Sequence, residues 1–235
     1  MSAAALALVY DFVRQQAFTQ AGQPAALGRQ ASAWTAGLVA DAVAAAAPED
    51  GPVACRAGCA WCCYVEVRAA IPEVLAVAEY VRTHLPPTAQ LALRERLRDT
   101  VARTRGLDAA ARLAAHIACP LLGADLACTV YPVRPSACVG LVSYAAAACR
   151  AQVDDPARRT PLPINTAAWH ASQAVRAGLY GGTADAGLQS GPVDLSAALL
   201  RALETPASSA RWQAGQAVFE DLTTGAVADD ATLVL

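Results

Sequence analysis

Seven of the eight cysteines in this chain of 235 residues are crowded into two short blocks. The first reads Cys55-Arg56-Ala57-Gly58-Cys59-Ala60-Trp61-Cys62-Cys63; the second carries Cys119, Cys128 and Cys138, with Cys149 close behind. Thiols crowded in this way ordinarily hold something jointly. The apolar stretch Met1 to Tyr10 has no basic flank, and Asp11 and Arg14 interrupt it, so it reads as a helix and not as an export signal. In a chain read as cytoplasmic, a metal accounts for clustered thiols better than a set of disulfides. The vicinal pair Cys62 and Cys63 would in addition close a strained disulfide ring. A fold serving such a centre must bring two distant stretches of backbone together.

Four thiolates satisfy a tetrahedral zinc or the four irons of a cubane cluster. Cys55-x3-Cys59-x2-Cys62 offers three ligands from one loop, and Gly58 lets that loop turn tightly. The side chains of Cys62 and Cys63 are expected to diverge, so either they serve two metal atoms or one is a neighbouring or reactive thiol. Cys149, in an alanine-rich helix, is either a ligand or a free thiol. The candidate metal ligands are Cys55, Cys59, Cys62, Cys63, Cys119, Cys128, Cys138 and Cys149. Arg134 lies between Pro132 and Pro135, where its backbone is held. A centre with four thiolates carries a net charge of about −2, which a fixed guanidinium would offset; the alternative for Arg134 is a surface ion pair. His84 reads as the end of a helix, His116 as the one histidine near the second block, and His170 as an ordinary helix residue. Trp61 and Tyr64 flank the first loop and read as a shield against water, with an aromatic platform for a substrate as the alternative.

The composition constrains the scaffold. Apolar residues make up 55% of the chain, yet much of that is alanine, and aromatics are only 6%. Alanine is the best helix former and a weak core filler, so the expectation is many helices packed closely through small side chains. No apolar run reaches the roughly 18–20 residues that cross a bilayer. The net charge is −2, and every one of the 18 basic residues is arginine; the densest run, Arg94 to Arg105, is interleaved with Glu95 and Asp99 and reads as a solvated helix face. No basic face for nucleic acid emerges, so the reading excludes nucleic acid and membrane as partners.

The periodicity and punctuation predict helices over residues 4–19, 24–47, 72–84, 88–104, 107–116, 143–150, 164–178, 194–204 and 207–221. An extended piece is expected at 64–68, a small hairpin pairing 120–122 with 127–131 around Gly123-Ala124-Asp125, and a glycine-rich loop at 180–192. The fold class is mainly α: a helical domain with a cysteine-rich irregular region and a small β-hairpin around a metal centre. Residues 1–235 read as one domain, with 53–150 as the metal-binding core and 1–48 and 151–235 as helical elaborations.

These residues resemble the YkgJ-type cysteine-cluster family, a zinc- or iron-chelating domain. Its pattern is a C-x3-C-x2-C-C block, a spacer, C-P-x-L, a further cysteine and a Y-x-x-R-P-x-x-C ending. Here Cys55, Cys59, Cys62 and Cys63 supply the first block; Cys119-Pro120-Leu121-Leu122, Cys128, Tyr131, Arg134, Pro135 and Cys138 supply the rest, over about residues 53–150. The resemblance implies that these cysteines bind zinc or an iron–sulfur cluster, a 4Fe-4S cluster being the form that fits, and it implies little about a reaction. A related cluster in flagellin lysine methylases looks like an iron–sulfur site tied to methyl transfer, but this chain is much shorter than those enzymes. The first-block spacing is also similar to that of radical-SAM enzymes, which resemble partial β/α barrels; here a helix and a proline break precede the loop instead. The expectation is a cytoplasmic metal-binding protein. Its alternatives are an iron–sulfur enzyme modifying a protein or peptide substrate in a methyl-transfer-like way, and a thiol redox or metal-delivery module using Cys63 or Cys149.

Overall fold

The computed structural model describes residues 1–47, 50–157 and 161–223, and it is mainly helical. Small side chains dictate how the helices meet. Helix α1 (Ala3–Thr19) is capped by the Ser2 hydroxyl, which accepts from the Ala5 amide, and α2 (Pro24–Ala44) starts on a proline. Between them and later helices the approach is close enough to exclude a methyl group. A Cβ on Gly28 of α2 would lie 2.2 Å from the Pro72 carbonyl oxygen of α3 (Ile71–His84). A Cβ on Gly182 of α8 (Thr166–Asp185) would lie 2.1 Å from the Arg14 carbonyl oxygen of α1. These contacts explain why α8 continues to Asp185 through a segment that reads as a glycine-rich loop: its glycines are the surface on which α1 lies, and Arg14 closes the end with an ion pair to Asp185 at 2.6 Å.

One buried cluster joins α1, α2 and α8 through Val13, Leu27, Val175 and Leu179. A larger one gathers α3, α4 (Pro87–Thr104) and α9 (Leu195–Glu204) around Val74, Leu93, Leu97, Leu199, Trp212 and Phe219, and Cys119 and Cys128 pack against it. Trp212, on α10 (Ser208–Gln213 in chain order), is fully buried, and its indole N–H donates to the Gln189 carbonyl at 2.8 Å. The helix expected over 207–221 stops at Gln213, before Gly215 at φ +77°.

The sheet has two short strands, β1 (Arg68–Ala70) and β2 (Pro192–Asp194), antiparallel with Arg68 opposite Asp194. Of the extended piece expected at 64–68 only the end enters β1; Trp61–Tyr64 is a 3-10 turn. The hairpin of the second block is present in minimal form, one antiparallel bridge between Leu122 and Cys128, held by Gly123 donating to the Ala127 carbonyl at 2.8 Å. Asp194 serves two elements: Oδ1 accepts from the Ala197 amide to cap α9, and Oδ2 takes Arg112 of α5 (Ala109–Ala114) at 2.5 Å. Helix α6 (Ser136–Gly140) is a single turn between prolines and Leu141, and α7 (Ala146–Asp154) begins later than the helix expected from Ser143. No helix among the described residues is long and apolar enough to cross a membrane.

Candidate metal centre

The first cysteine block folds as two successive turns. Gly58 adopts φ +82°, and the Cys59 amide closes the turn on the Arg56 carbonyl at 3.0 Å. The 3-10 turn Trp61–Tyr64 follows, with the Cys63 amide on the Ala60 carbonyl at 2.9 Å. Successive residues of such a turn point about 120° apart, which is the divergence expected of Cys62 and Cys63. Their thiols nevertheless stay within hydrogen-bonding reach of each other.

The second block is stitched directly to the first. The Cys119 amide donates to the Cys63 carbonyl at 2.6 Å, so the two stretches of backbone meet at this seam. Cys128 sits in the Leu122–Cys128 bridge. Pro135 leads into α6, which carries Cys138. Glu73, at the third position of α3 and 1% exposed, accepts from the Ser136 amide at 2.7 Å through Oε1 and from the Ala70 amide at 2.8 Å through Oε2. One buried side chain thus ties the start of the Cys138 helix to the start of α3.

Ser143 stands beside the remaining two cysteines. Its amide donates to the Cys55 sulfur at 3.3 Å, its carbonyl accepts from the Ala54 amide at 2.9 Å, and its side chain lies near the Cys149 thiol on α7, where it favours the thiolate. The hydroxyl, at the start of the helix expected over 143–150, donates to the Pro163 carbonyl at 3.1 Å and accepts from the Ala145 amide.

Two neighbouring cavities collect the thiols. The larger, about 920 Å³, is lined by Cys59, Cys62, Cys63, Cys119, Cys128 and Cys138. The smaller, about 30 Å³, is lined by Cys55, Cys59, Cys62 and Cys149. All eight cysteines are free thiols, and Cys59 and Cys62 stand between the two spaces. Among the described residues no three histidine, cysteine, aspartate or glutamate side chains are gathered closely enough to enclose a metal ion.

The thiols feel one another. Burial, reinforced by Cys119, Cys62 and Cys128, pushes the Cys138 thiol well above the ordinary range. The hydrogen bond from Cys63 does the same to Cys62, with burial second. Burial raises Cys119 to about 11 and also raises Cys55, Cys128 and Cys149. Against this stands Arg134, whose charge favours the thiolate at Cys55, Cys62, Cys128 and Cys138. Arg134 lines the large cavity, its guanidinium lies 4.2 Å from the Tyr131 ring centroid, and the described residues offer it no carboxylate at ion-pair distance.

The histidines stay outside. His84 stacks on Tyr80 with centroids 4.2 Å apart, and His170 is exposed. His116 tilts toward Tyr64 at 6.3 Å and lines neither cavity. Trp61 lines the small cavity beneath the Arg150 guanidinium. The residues that sequence reasoning missed are Ser143, Glu73 in its tie to Ser136, and the α8 wall of the large cavity, Trp169, Gln173 and Arg176. In comparisons with known proteins, the chain matches no family model, no curated protein and no solved structure.

Proposed function

We propose that this protein binds a metal centre, zinc or an iron–sulfur cluster, through thiolates from both cysteine blocks. The observation that carries the reading is the Cys63–Cys119 main-chain seam, which lines one cavity with six thiols drawn from both blocks. The donor set fits in kind: thiolates suit both centres, and Arg134 offsets the negative charge that several of them would bring together. Loading the site requires the thiols to turn from one another toward a common point and to give up protons that burial makes them hold. When bound, zinc would crosslink the loops, whereas an iron–sulfur cluster would supply redox or open-iron chemistry. Thiol burial works against the redox-module alternative, because the raised Cys149 is shifted away from the thiolate that exchange needs. The roomy cavity beside the thiols favours the enzyme alternative, in which a substrate lies against the centre. Free thiols in this number suit a reducing compartment such as the cytoplasm.

The test is anaerobic purification with metal and sulfide analysis, a visible spectrum, and alkylation of the thiols before and after chelation. One or two zincs, or iron with matching sulfide, together with cysteines protected until chelation, is the expected result. A chain that takes up neither centre on reconstitution, with all thiols alkylated at one rate, refutes the proposal.

A further inference from the structure

We infer that the large cavity is the binding site of a small organic carboxylate, anchored by Arg176 on α8 with its apolar body extending toward the thiols. Arg176 is 5% exposed and lines the cavity. Its Nη1 donates to Gln173 Oε1 at 2.5 Å and its Nη2 to the Tyr180 hydroxyl at 3.2 Å, while Nε, closed off from solvent, has no hydrogen-bond partner. A guanidinium is always charged and carries five N–H donors, so a buried one with an orphaned Nε and no carboxylate in ion-pair contact among the described residues is costly to keep. Glu73 does not supply that contact. Tyr180 feels the charges of Arg176, Glu73 and Arg68, but the two Glu73 oxygens are engaged by the Ala70 and Ser136 amides, so the Glu73 charge acts here only at a distance.

Direct contacts set the ligand class. Of the other arginines lining the cavity, Arg68 is paired with Glu66 at 3.1 Å, Arg134 is half-buried beside the thiols, and Arg56 is exposed. Arg176 is the buried one, and with no carboxylate against it among the described residues its guanidinium is matched by a ligand that brings one. The planar guanidinium fork matches a carboxylate, whereas a phosphate dianion would call for a second unpaired cation beside Arg176, and Arg68, which also acts on Tyr180, is taken by Glu66. Trp169, Leu113, Leu141 and Leu195 give the lining its apolar character, and about 920 Å³ is the size of a small-molecule site. The anchor stands by itself; only the idea that the far end of the ligand meets a reactive centre rests on the metal-binding reading.

The experiment titrates the full chain with 4-phenylbutyrate, with 4-phenylbutyramide as its neutral analogue, and with inorganic phosphate, by calorimetry and by tryptophan fluorescence. Metal-loaded and chelator-treated protein are both used. Phenylbutyrate is expected to bind roughly tenfold or more tightly than the amide or phosphate, because a charge-assisted hydrogen bond is at stake. Arg176→Gln is expected to bring the acid-to-amide ratio close to one, and Arg176→Lys to keep part of it. Should Arg176→Gln fail to fold, the wild-type comparison of acid, amide and phosphate decides the matter. Equal binding of acid and amide, tighter binding of phosphate, no binding of the acid, or a folded Arg176→Gln that still discriminates overturns the inference. A chain that discriminates in this way yet takes up no metal refutes the metal centre and leaves the anchor standing; a chain that loads metal but does not discriminate does the reverse.

Discussion

Glu73→Gln is the substitution that most directly tests how the scaffold holds the second cysteine block. Both carboxylate oxygens accept backbone N–H groups, from Ala70 at the entry to α3 and from Ser136 two residues before Cys138. The amide keeps the shape but only one acceptor; its NH₂ would face one of the two N–H donors. One charge-assisted hydrogen bond goes, worth about 1.5–3 kcal/mol, and one buried N–H is left unpaired, at about 1–3 kcal/mol. Loss of the negative charge in the first turn of α3 adds about 0.3–1 kcal/mol. Relief from burying a charge offsets part of this, so the net expectation is about 3 kcal/mol of destabilisation. Urea unfolding of the reduced, metal-free protein measures it, with the denaturant slope unchanged, and hydrogen exchange at the Ser136 amide reports the local loss. Glu204→Gln is the comparator: its ion pair with Arg98 is 41% and 53% exposed on the two sides, and it is expected to cost no more than about 1 kcal/mol. A Glu73→Gln change below about 1 kcal/mol, with Ser136 exchange unaltered, would refute the reasoning.

Three further outcomes follow from the same geometry. Gly182→Ala is expected to destabilise the protein by about 2 kcal/mol in thermal or urea unfolding, because overpacking against the Arg14 carbonyl outweighs the helix propensity gained; Gly37→Ala, with open space around it, is expected to be neutral or stabilising by up to about 1 kcal/mol. Alkaline pH is expected to weaken the metal-free protein: the Cys119 thiol ionises near 9 when unfolded and near 11 when folded, so its contribution is whole below 9 and is lost as pH rises to 11. That loss is about 3 kcal/mol for the one thiol, and stability unchanged across the window would contradict the burial argument. Arg134→Gln is expected to lower metal affinity roughly tenfold and to shift thiol alkylation of the metal-free protein to higher pH; an unchanged alkylation profile would show that Arg134 does not face the thiols.

What could be read in the sequence was local, and the physical reason is range. Pro24 at the start of α2, Pro72 with Glu73 at the start of α3, and the minimal turn at Gly123 are each decided within a few residues, and each appears in the structure. Pairings that close across a hundred residues left no such mark. Three-residue strands are too short to alternate, so nothing in Arg68–Ala70 points to Pro192–Asp194. The glycines of α8 misled for a related reason. Glycine weakens an isolated helix, but against α1 it is the residue that permits contact, and that context exists only after the chain has folded. Ser143 and Arg176 show the same limit at the candidate site. A serine ahead of an alanine run reads as a cap, and an arginine within a helix reads as solvated surface. The first instead binds the Cys55 sulfur and stands near Cys149, and the second is buried with an unpaired Nε. Ligand spacing within each cysteine block needs only a few residues of context, while the wall facing those thiols comes from α8, some thirty residues beyond the last of them. The proposed metal-binding chemistry was therefore open to a sequence argument, and the class of molecule that could meet such a centre was not.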